Sequence, residues 1–421
     1  MTTIQLTPHV RPQTQTDWRA GLAARHLYIH VPFCHRRCAY CDFNTYVNME
    51  HRITAYTDAL CAELGRIAGG ARALPATPED PALGLLRSNL RPTIFLGGGT
   101  PSMLPLAEIA RVLRAADAIV PLDLAEVTVE CNPGTVLEPL YLRDLRSLGV
   151  NRVSMGVQSL HDPTLRVLGR IHTAAEARAS YEEARRVGFD SINLDFIFGL
   201  PGQDLAQWAA TLRTIVEWEV DHFSLYSLVL EERTPLFAQV NSGAVVVPDD
   251  DATATMYEMA IAQLGDAGYA HYEISNWARR SAKDGIVPEH ACRHNLAYWL
   301  NADYAACGAG AHGHLAARRF AGLNGIDEYI ATVAAGAPPL LETTELSLRD
   351  IAAETMFMGL RLATGVSFAH FADRCGVPID DMFGDELREL AELGLLERDD
   401  VGVRLTARGQ MLGNRVFERF V

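Results

Sequence analysis

Leu27-Tyr-Ile-His-Val-Pro-Phe33, followed without a break by Cys34-His-Arg-Arg-Cys-Ala-Tyr-Cys41, decides how this chain is read. The first half is apolar and β-branched, as a buried strand is. The second half packs three thiols into eight residues. Three thiolates on one short loop can take three irons of a cubic iron–sulfur cluster and leave the fourth iron open. An open iron can bind a cofactor or substrate directly, which an electron carrier with four cysteine ligands cannot do. Cys34, Cys38 and Cys41 are therefore the candidate ligands of a [4Fe–4S] cluster.

Other uses of these thiols fit less well. Zinc sites usually draw on paired Cys/His knuckles, and no second knuckle follows nearby. Cys61, Cys131, Cys292, Cys307 and Cys375 are scattered singly, the pattern of small buried hydrophobes. A disulfide needs an oxidising compartment. The chain opens without a basic-plus-apolar secretory leader, so a cytoplasmic location is expected.

Working outward, 421 residues with 48% hydrophobic content can bury a large core in more than one domain. No apolar run approaches the ~20 residues of a membrane span. A formal net charge of −15 argues against a nucleic-acid surface. Residues 1–25, rich in Thr, Gln and Pro, read as a poorly ordered tail.

From residue 27 to about 230, short β-branched runs alternate with amphipathic stretches. Strands are expected at 27–31, 93–96, 126–130, 152–156, 191–198 and 222–228, with helices between them. Six such β-α units imply a parallel sheet covered by helices, and six rather than eight implies an incomplete barrel with one open side. Residues 69–92, with several prolines, read as a surface insertion.

Such a sheet places its chemistry at the C-terminal ends of its strands. Gly97-Gly-Gly-Thr100 follows the second strand, Glu130 ends the third, Gln158 ends the fourth and Asp195 lies within the fifth. Arg170 belongs to the loop Leu168-Gly-Arg-Ile-His172. One acid at a strand end is commonly a cap or a salt-bridge partner. Several at successive ends, above an open-iron cluster, point to a cofactor pocket.

These strings resemble, in order, one subfamily of radical S-adenosylmethionine (SAM) proteins. It contains the oxygen-independent coproporphyrinogen III oxidases and the related heme chaperones called HemW. The resemblance rests on Tyr28-Ile-His-Val-Pro-Phe-Cys34, Cys41-Asp-Phe-Asn44, Gly97-Gly-Gly-Thr-Pro-Ser102, Glu130-Cys-Asn-Pro-Gly134, Gly156-Val-Gln-Ser159, Leu168-Gly-Arg170 and Asp195, and extends from residue 27 to 421. It implies that the open iron chelates the amino and carboxylate groups of SAM. Tyr28 and Tyr40 would then flank the cluster and SAM, and Gly98, Gly99 and Thr100 would contact the methionyl part. Glu130 and Arg170 would meet the charged end, while Gln158 and Asp195 would hold the ribose. The chemistry agrees: a guanidinium fork matches a carboxylate, and carboxylates accept from ammonium or vicinal hydroxyls.

One departure lies beside the cysteines. The oxidases carry a further cysteine two positions after the third, where this chain has Phe43, and the heme chaperones share its Asp-Phe ending. That puts decarboxylation of coproporphyrinogen in doubt. Further on, Cys292-Arg-His-Asn-Leu-Ala-Tyr-Trp299 resembles the His-Asn-x-x-Tyr-Trp motif of the heme chaperones. A lone histidine among aromatics is commonly a packing residue. The adjoining Asn, Tyr and Trp make His294 a candidate heme ligand all the same, or else a residue that orients SAM or steadies a domain junction. Gly308-x-Gly-x-x-Gly313, with Asp327 downstream, also matches a dinucleotide fingerprint literally. No clear first strand of a β-α-β unit precedes it, so NAD binding is rejected; His312 and His314 within it are candidate pocket residues.

From about residue 346, helical patterns at 346–362, 368–375 and 387–393 precede two short strands within 394–405 and a final helix from 406. This reads as a winged-helix-like module. Asp399 and Asp400 at the wing tip favour a structural or protein-contact role over DNA binding.

The expectation is thus an α/β fold: an open (β/α)6 radical-SAM partial TIM barrel with a C-terminal helical, winged-helix-like module. Its divisions are a tail at 1–25, the barrel with the cluster and SAM sites at 26–235, a barrel-covering region at 236–340 and the module at 341–421. The leading function is a heme chaperone that binds a [4Fe–4S] cluster and SAM and carries heme as cargo to acceptor proteins. The enzyme alternatives are coproporphyrinogen III oxidation, in which a 5′-deoxyadenosyl radical takes hydrogen from propionate side chains, and a methyltransferase or heme-modifying reaction. Expected partners are heme, heme-accepting proteins and an electron donor for the cluster, but no nucleic acid. A homodimer and a peripheral membrane contact are compatible with the sequence.

Overall fold

The structure is a computed structural model that describes residues 17–69, 90–138, 140–285 and 287–421. The expected insertion at 69–92 falls almost wholly outside them, as does the tail up to residue 16. Six parallel strands form the frame: β1 (His26–Val31), β2 (Thr93–Gly98), β3 (Glu126–Cys131), β4 (Arg152–Gln158), β5 (Ser191–Phe198) and β6 (His222–Ser227). They pair in sequence order, each with the next. Three strands that the alternation did not announce extend the sheet. The hairpin β7 (Tyr269–Glu273) and β8 (Asn276–Arg279) continues it antiparallel beyond β6, and β9 (Ala305–Cys307) joins β1 in parallel. These strands are short, and their pairing is set by the long-range fold rather than by local pattern.

The helices between the strands form where the sequence supplies caps and apolar spacing. Thr173 and Glu176 make a reciprocal capping box at the start of helix Ala174–Val187, and Gly188, at φ +83°, ends it. Side chains alternate along each strand. One face carries Leu27, Ile29, Val31, Ile94, Leu96, Val127, Val129, Val153 and Met155, which are fully buried in a single apolar cluster with helix residues such as Tyr56, Leu60 and Leu64. The opposite, inner face carries His26, Tyr28, His30, Thr93, Glu126, Thr128, Glu130, Arg152, Ser154, Asn193, Asp195, His222 and Ser224. The barrel interior is therefore polar.

The N-terminal expectation needs correction. Residues 17–24, assigned to a loose tail, are packed. Arg19 is 1% exposed, forms ion pairs with Asp17 and Glu63 at 2.8 Å each, and donates to the Ala306 carbonyl oxygen. Glu63 also accepts from the Gly308 N–H and the Tyr329 hydroxyl. The segment thus ties helix Ile53–Ala68 to the exit of β9. A terminal stretch without apolar periodicity can be held by one buried ionic network, which composition does not reveal.

Beyond the barrel, β10 (His312–Leu315), β11 (Arg318–Gly322) and β12 (Leu340–Glu345) form an antiparallel sheet. Helices Leu348–Gly359, Phe368–Cys375 and Ile379–Glu392 accompany a small sheet of β13 (Val366–Ser367, between the first two helices), β14 (Leu396–Arg398) and β15 (Gly402–Leu405), with an apolar cluster of their own around Met356, Phe371, Phe383 and Phe420. Among the described residues no helix is long and apolar enough to cross a membrane.

Candidate functional site

The cysteine loop leaves β1 at Val31 and is held from below by the turn after β2. The N–H of Gly99 donates to the Val31 carbonyl oxygen and that of Thr100 to the Phe33 carbonyl oxygen, both at 2.8 Å. A Cβ at Gly98 (φ +112°) would lie 2.5 Å from the His30 ring, and one at Gly99 would lie 2.6 Å from the Phe33 oxygen. These glycines are required by the close approach of the cysteine loop itself. The Thr100 hydroxyl lies 3.5 Å from the Cys34 sulfur. From the other side, Arg170 Nη1 donates to Cys38 Sγ at 3.4 Å and Nη2 to the Gly156 carbonyl oxygen at 2.5 Å, while its Nε has no partner among the described residues.

Cys34, Cys38 and Cys41 are half-buried free thiols. Burial raises the pKa of Cys34 and Cys41, so without iron they keep their protons. Among the described residues no three His, Cys, Asp or Glu side chains close around a single ion. Thiolates of a cluster each take a different iron, so three sulfurs on one loop with a buried guanidinium beside them fit such a group. Burial works against the charge on Arg170, but Tyr40 and the Cys38 sulfur outweigh it and keep the guanidinium charged.

Below this loop lies the carboxylate layer. Glu130 Oε2 accepts from the Gly98 N–H at 3.0 Å. Burial first, and then the nearby Asp195 carboxylate, lift Glu130 to about 7. Asp195 accepts from Asn193 at 2.7 Å and Ser154 at 3.3 Å; its pKa is also raised by burial, which those two bonds only partly offset. Gln158, at φ +68°, follows an irregularity in the β4–β5 register that turns its side chain back over Gly156, beside Arg170. The Tyr28 hydroxyl meets His30 Nδ1 at 2.9 Å, and His30 Nε2 meets the Asn44 carbonyl oxygen at 3.0 Å, tying the floor of the pocket to the residue after Phe43. Tyr40 packs against the cluster of Leu168, Ile197, Leu200 and Leu236. Thus Tyr40, Gly98, Gly99, Thr100, Glu130, Gln158, Arg170 and Asp195 gather toward the end of the barrel that carries the three thiols, while Tyr28 stands lower, midway along β1, its ring 6.4 Å from that of His294.

Sequence reasoning missed His30 and Asn193, which support Tyr28 and Asp195 from two residues away on the same strand, and Ser154, which reaches Asp195 from the neighbouring strand. The available signal was the two-residue alternation inside strands already assigned.

His294 lies elsewhere. It is 1% exposed and sits beside Thr93, the first residue of β2, five residues or roughly 16 Å of strand below Gly98. Its Nδ1 meets the Thr93 hydroxyl at 2.6 Å, its Nε2 the Tyr298 hydroxyl at 2.8 Å, and its ring stacks on Phe95. Glu126 Oε1 accepts from the backbone N–H groups of Arg293 and His294 at the start of helix Arg293–Trp299. The motif plugs the barrel floor, and both imidazole nitrogens are engaged. The glycine-rich string 308–313 is likewise structural: a Cβ at Gly308 would meet the His30 carbonyl, and one at Gly310 the Asn44 side chain.

Residues 28–215 match the Radical SAM superfamily, and residues 346–412 match the HemN C-terminal domain. The heme chaperone HemW of Bacillus subtilis is 35% identical over 396 residues, 94% of this chain and 98% of that protein. The chain belongs to the HemW family. The HemW protein of Lactococcus lactis is 33% identical, covering 94% and 96% of the two chains. The zebrafish (Danio rerio) mitochondrial radical S-adenosyl methionine domain-containing protein 1 is 34% identical over 92% of this chain and 84% of that protein. The coproporphyrinogen III oxidase HemN of Escherichia coli superposes with a TM-score of 0.76 at 23% identity, over 96% of this chain and 91% of that one. At that identity it shows the fold, a radical-SAM partial barrel with a helical C-terminal region, which HemW-family members and HemN therefore share.

Proposed function

We propose that this chain is a heme chaperone that binds a [4Fe–4S] cluster and SAM and delivers heme to acceptor proteins. The observation that carries the reading is its near-full-length kinship with proteins named heme chaperone HemW. Phe43, at the position of the oxidases' extra cysteine, favours it over coproporphyrinogen III oxidation.

Cys34, Cys38 and Cys41 would hold the cluster, whose open iron, when present, supplies a chelation point for SAM. The chain's own residues then do the positioning. Arg170 offers its free Nε and its charge to a carboxylate, and ionised Glu130 faces an ammonium group. Gln158 and Asp195 offer acceptors to vicinal hydroxyls, with Ser154 and Asn193 fixing the Asp195 carboxylate. Tyr28 closes the floor and Tyr40 the side. Gly98 and Gly99 bring the backbone under the loop, and Thr100 steadies Cys34.

Heme ligation by His294 would break its bond to Thr93 or to Tyr298. Uptake of iron there therefore requires helix Arg293–Trp299 to move off the barrel floor. The deciding experiment is anaerobic cluster reconstitution, followed by hemin titration and transfer to an apo-acceptor, beside a separate assay with coproporphyrinogen III. Failure to bind hemin ends the chaperone reading.

A further inference from the structure

The register of the sheet places Tyr28, Phe95, Thr128, Arg152 and Ser191 in one row on the inner face, one residue from each of five neighbouring strands. Three of them lack partners. Arg152 is 2% exposed and Thr128 fully buried, yet neither the Arg152 guanidinium nor the Thr128 hydroxyl has a hydrogen bond or ion pair among the described residues. The Ser191 hydroxyl, on the other side of Arg152, is buried without a partner among them as well. The carboxylates around the guanidinium are committed elsewhere. Glu126 accepts from the N–H groups of Arg293 and His294, Glu130 from the Gly98 N–H, and Asp195 from Asn193 and Ser154. They act on Arg152 only through space.

A buried guanidinium without a partner is costly, because its hydration is lost and nothing replaces it. The group that answers it best is a carboxylate, whose two oxygens match the planar fork. Thr128 and Ser191 flank that fork at the inter-strand spacing, about 4.8 Å on either side, and can donate to the same oxygens. The three acids set an upper limit on the charge of the ligand. They repel a phosphate or sulfate dianion, whereas one carboxylate meets one guanidinium. Phe95 continues the row on the far side of Thr128, with its ring stacked on those of His294 and Tyr28. The interior thus offers a cation at one side and an aromatic wall at the other, which suits an acid arm carried on a flat apolar body.

We propose that Arg152, flanked by Thr128 and Ser191, is an internal receptor for a single carboxylate, supplied by a propionate arm of the heme cargo. The inference rests on the heme-chaperone reading and deepens it by naming the cargo group that the barrel recognises. Thr128 lies two residues below Glu130 on β3, roughly 7 Å of strand, so the receptor is separate from the residues assigned to SAM. A free arylpropionate presents the same chemistry without the iron.

The test uses the full chain with its cluster reconstituted anaerobically, titrated with hemin and with hemin dimethyl ester, in which both propionates are blocked. Wild type should bind hemin about tenfold or more tightly than the ester, the scale of a hydrogen bond to a charged group. Arg152→Gln should remove that preference: hemin affinity falls by about tenfold or more, and ester affinity stays within about twofold. Thr128→Val, nearly isosteric, should lower hemin affinity by about threefold and leave the ester unaffected. Without hemin, the melting temperature of the Arg152→Gln protein should not fall, since an unpartnered buried charge stabilises nothing. A lower melting temperature with equal loss for hemin and ester overturns the proposal by making Arg152 structural. Hemin affinity unchanged in both variants also overturns it and leaves the row to internal water. If Arg152→Gln does not assemble its cluster, Thr128→Val with the same two ligands decides. A wild type that binds no hemin fails the chaperone reading. Calorimetry with phenylpropionate then tests the receptor, which stands if binding is lost in Arg152→Gln and falls if wild type shows none.

Discussion

Arg170 and Cys38, 132 residues apart in sequence, stand 3.4 Å from each other, guanidinium against thiol. The loop after β4 thereby reaches across the barrel mouth and places a fixed positive charge at the sulfur. The remaining Arg170 nitrogens face the Gly156 carbonyl and an unpartnered direction. One side chain joins the thiol loop to the pocket beneath it.

Replacing Arg170 by Ala should therefore cost about 2–4 kcal/mol in SAM affinity, the range for breaking a buried charge pair. Replacement by Lys should recover part of it, since a point charge lacks the planar fork. Calorimetry with unchanged affinity for Arg170→Ala would move the cofactor pocket elsewhere.

Ala at Cys34, Cys38 or Cys41 should abolish the brown colour and the reduced-cluster EPR signal of anaerobically prepared protein. Ala at Cys61 or Cys375 should not, because those thiols lie on a barrel helix and in the C-terminal module. Full cluster retention in Cys38→Ala would remove it from the ligand set.

SAM binding should be pH-dependent through Glu130. Burial and Asp195 raise its carboxyl to about 7, and the ionised form is the one that receives an ammonium group. Affinity should thus rise as pH increases through about 7 and weaken below it, while Glu130→Gln should be weaker and flat. For the unliganded fold the sign is opposite. A carboxyl raised from its unfolded value of 4.5 stabilises most at low pH, and that contribution is lost as pH rises through about 7. A wild-type affinity that does not change between pH 6 and 8 would separate Glu130 from the cofactor amine.

His294 should behave first as a structural group. Burial pushes its pKa well below 6.5, so its contribution is complete above that value and is lost as pH falls below it. His294→Ala should lower stability by about 2–4 kcal/mol through two lost hydrogen bonds and a cavity. If heme iron takes His294, hydrogen exchange along residues 293–299 must speed up when hemin is added. Tight hemin binding with unchanged exchange there assigns the iron to another residue.

Coproporphyrinogen III should not be converted efficiently by reconstituted protein supplied with SAM and a low-potential reductant. The expectation follows from Phe43, and chromatography of the porphyrin products checks it. Robust formation of protoporphyrinogen IX would reverse the functional assignment.

What the sequence determined by itself is local and periodic. Three thiols in eight residues, apolar alternation in six strands and acids at successive strand ends were sufficient for the barrel and its mouth, because strand period and loop spacing are properties of the chain alone. Tertiary structure decided everything that depends on which distant groups meet. It recruited β7, β8 and β9 to the sheet edges and turned Asp17 and Arg19 into a buried clasp on Glu63. It set Gly98 and Gly99 under the cysteine loop and placed His294 against Thr93 and Tyr298 at the floor rather than at the mouth. Burial and pairing, which fix whether a histidine is free to ligate or a glutamate is ionised, arise only once the chain has closed on itself.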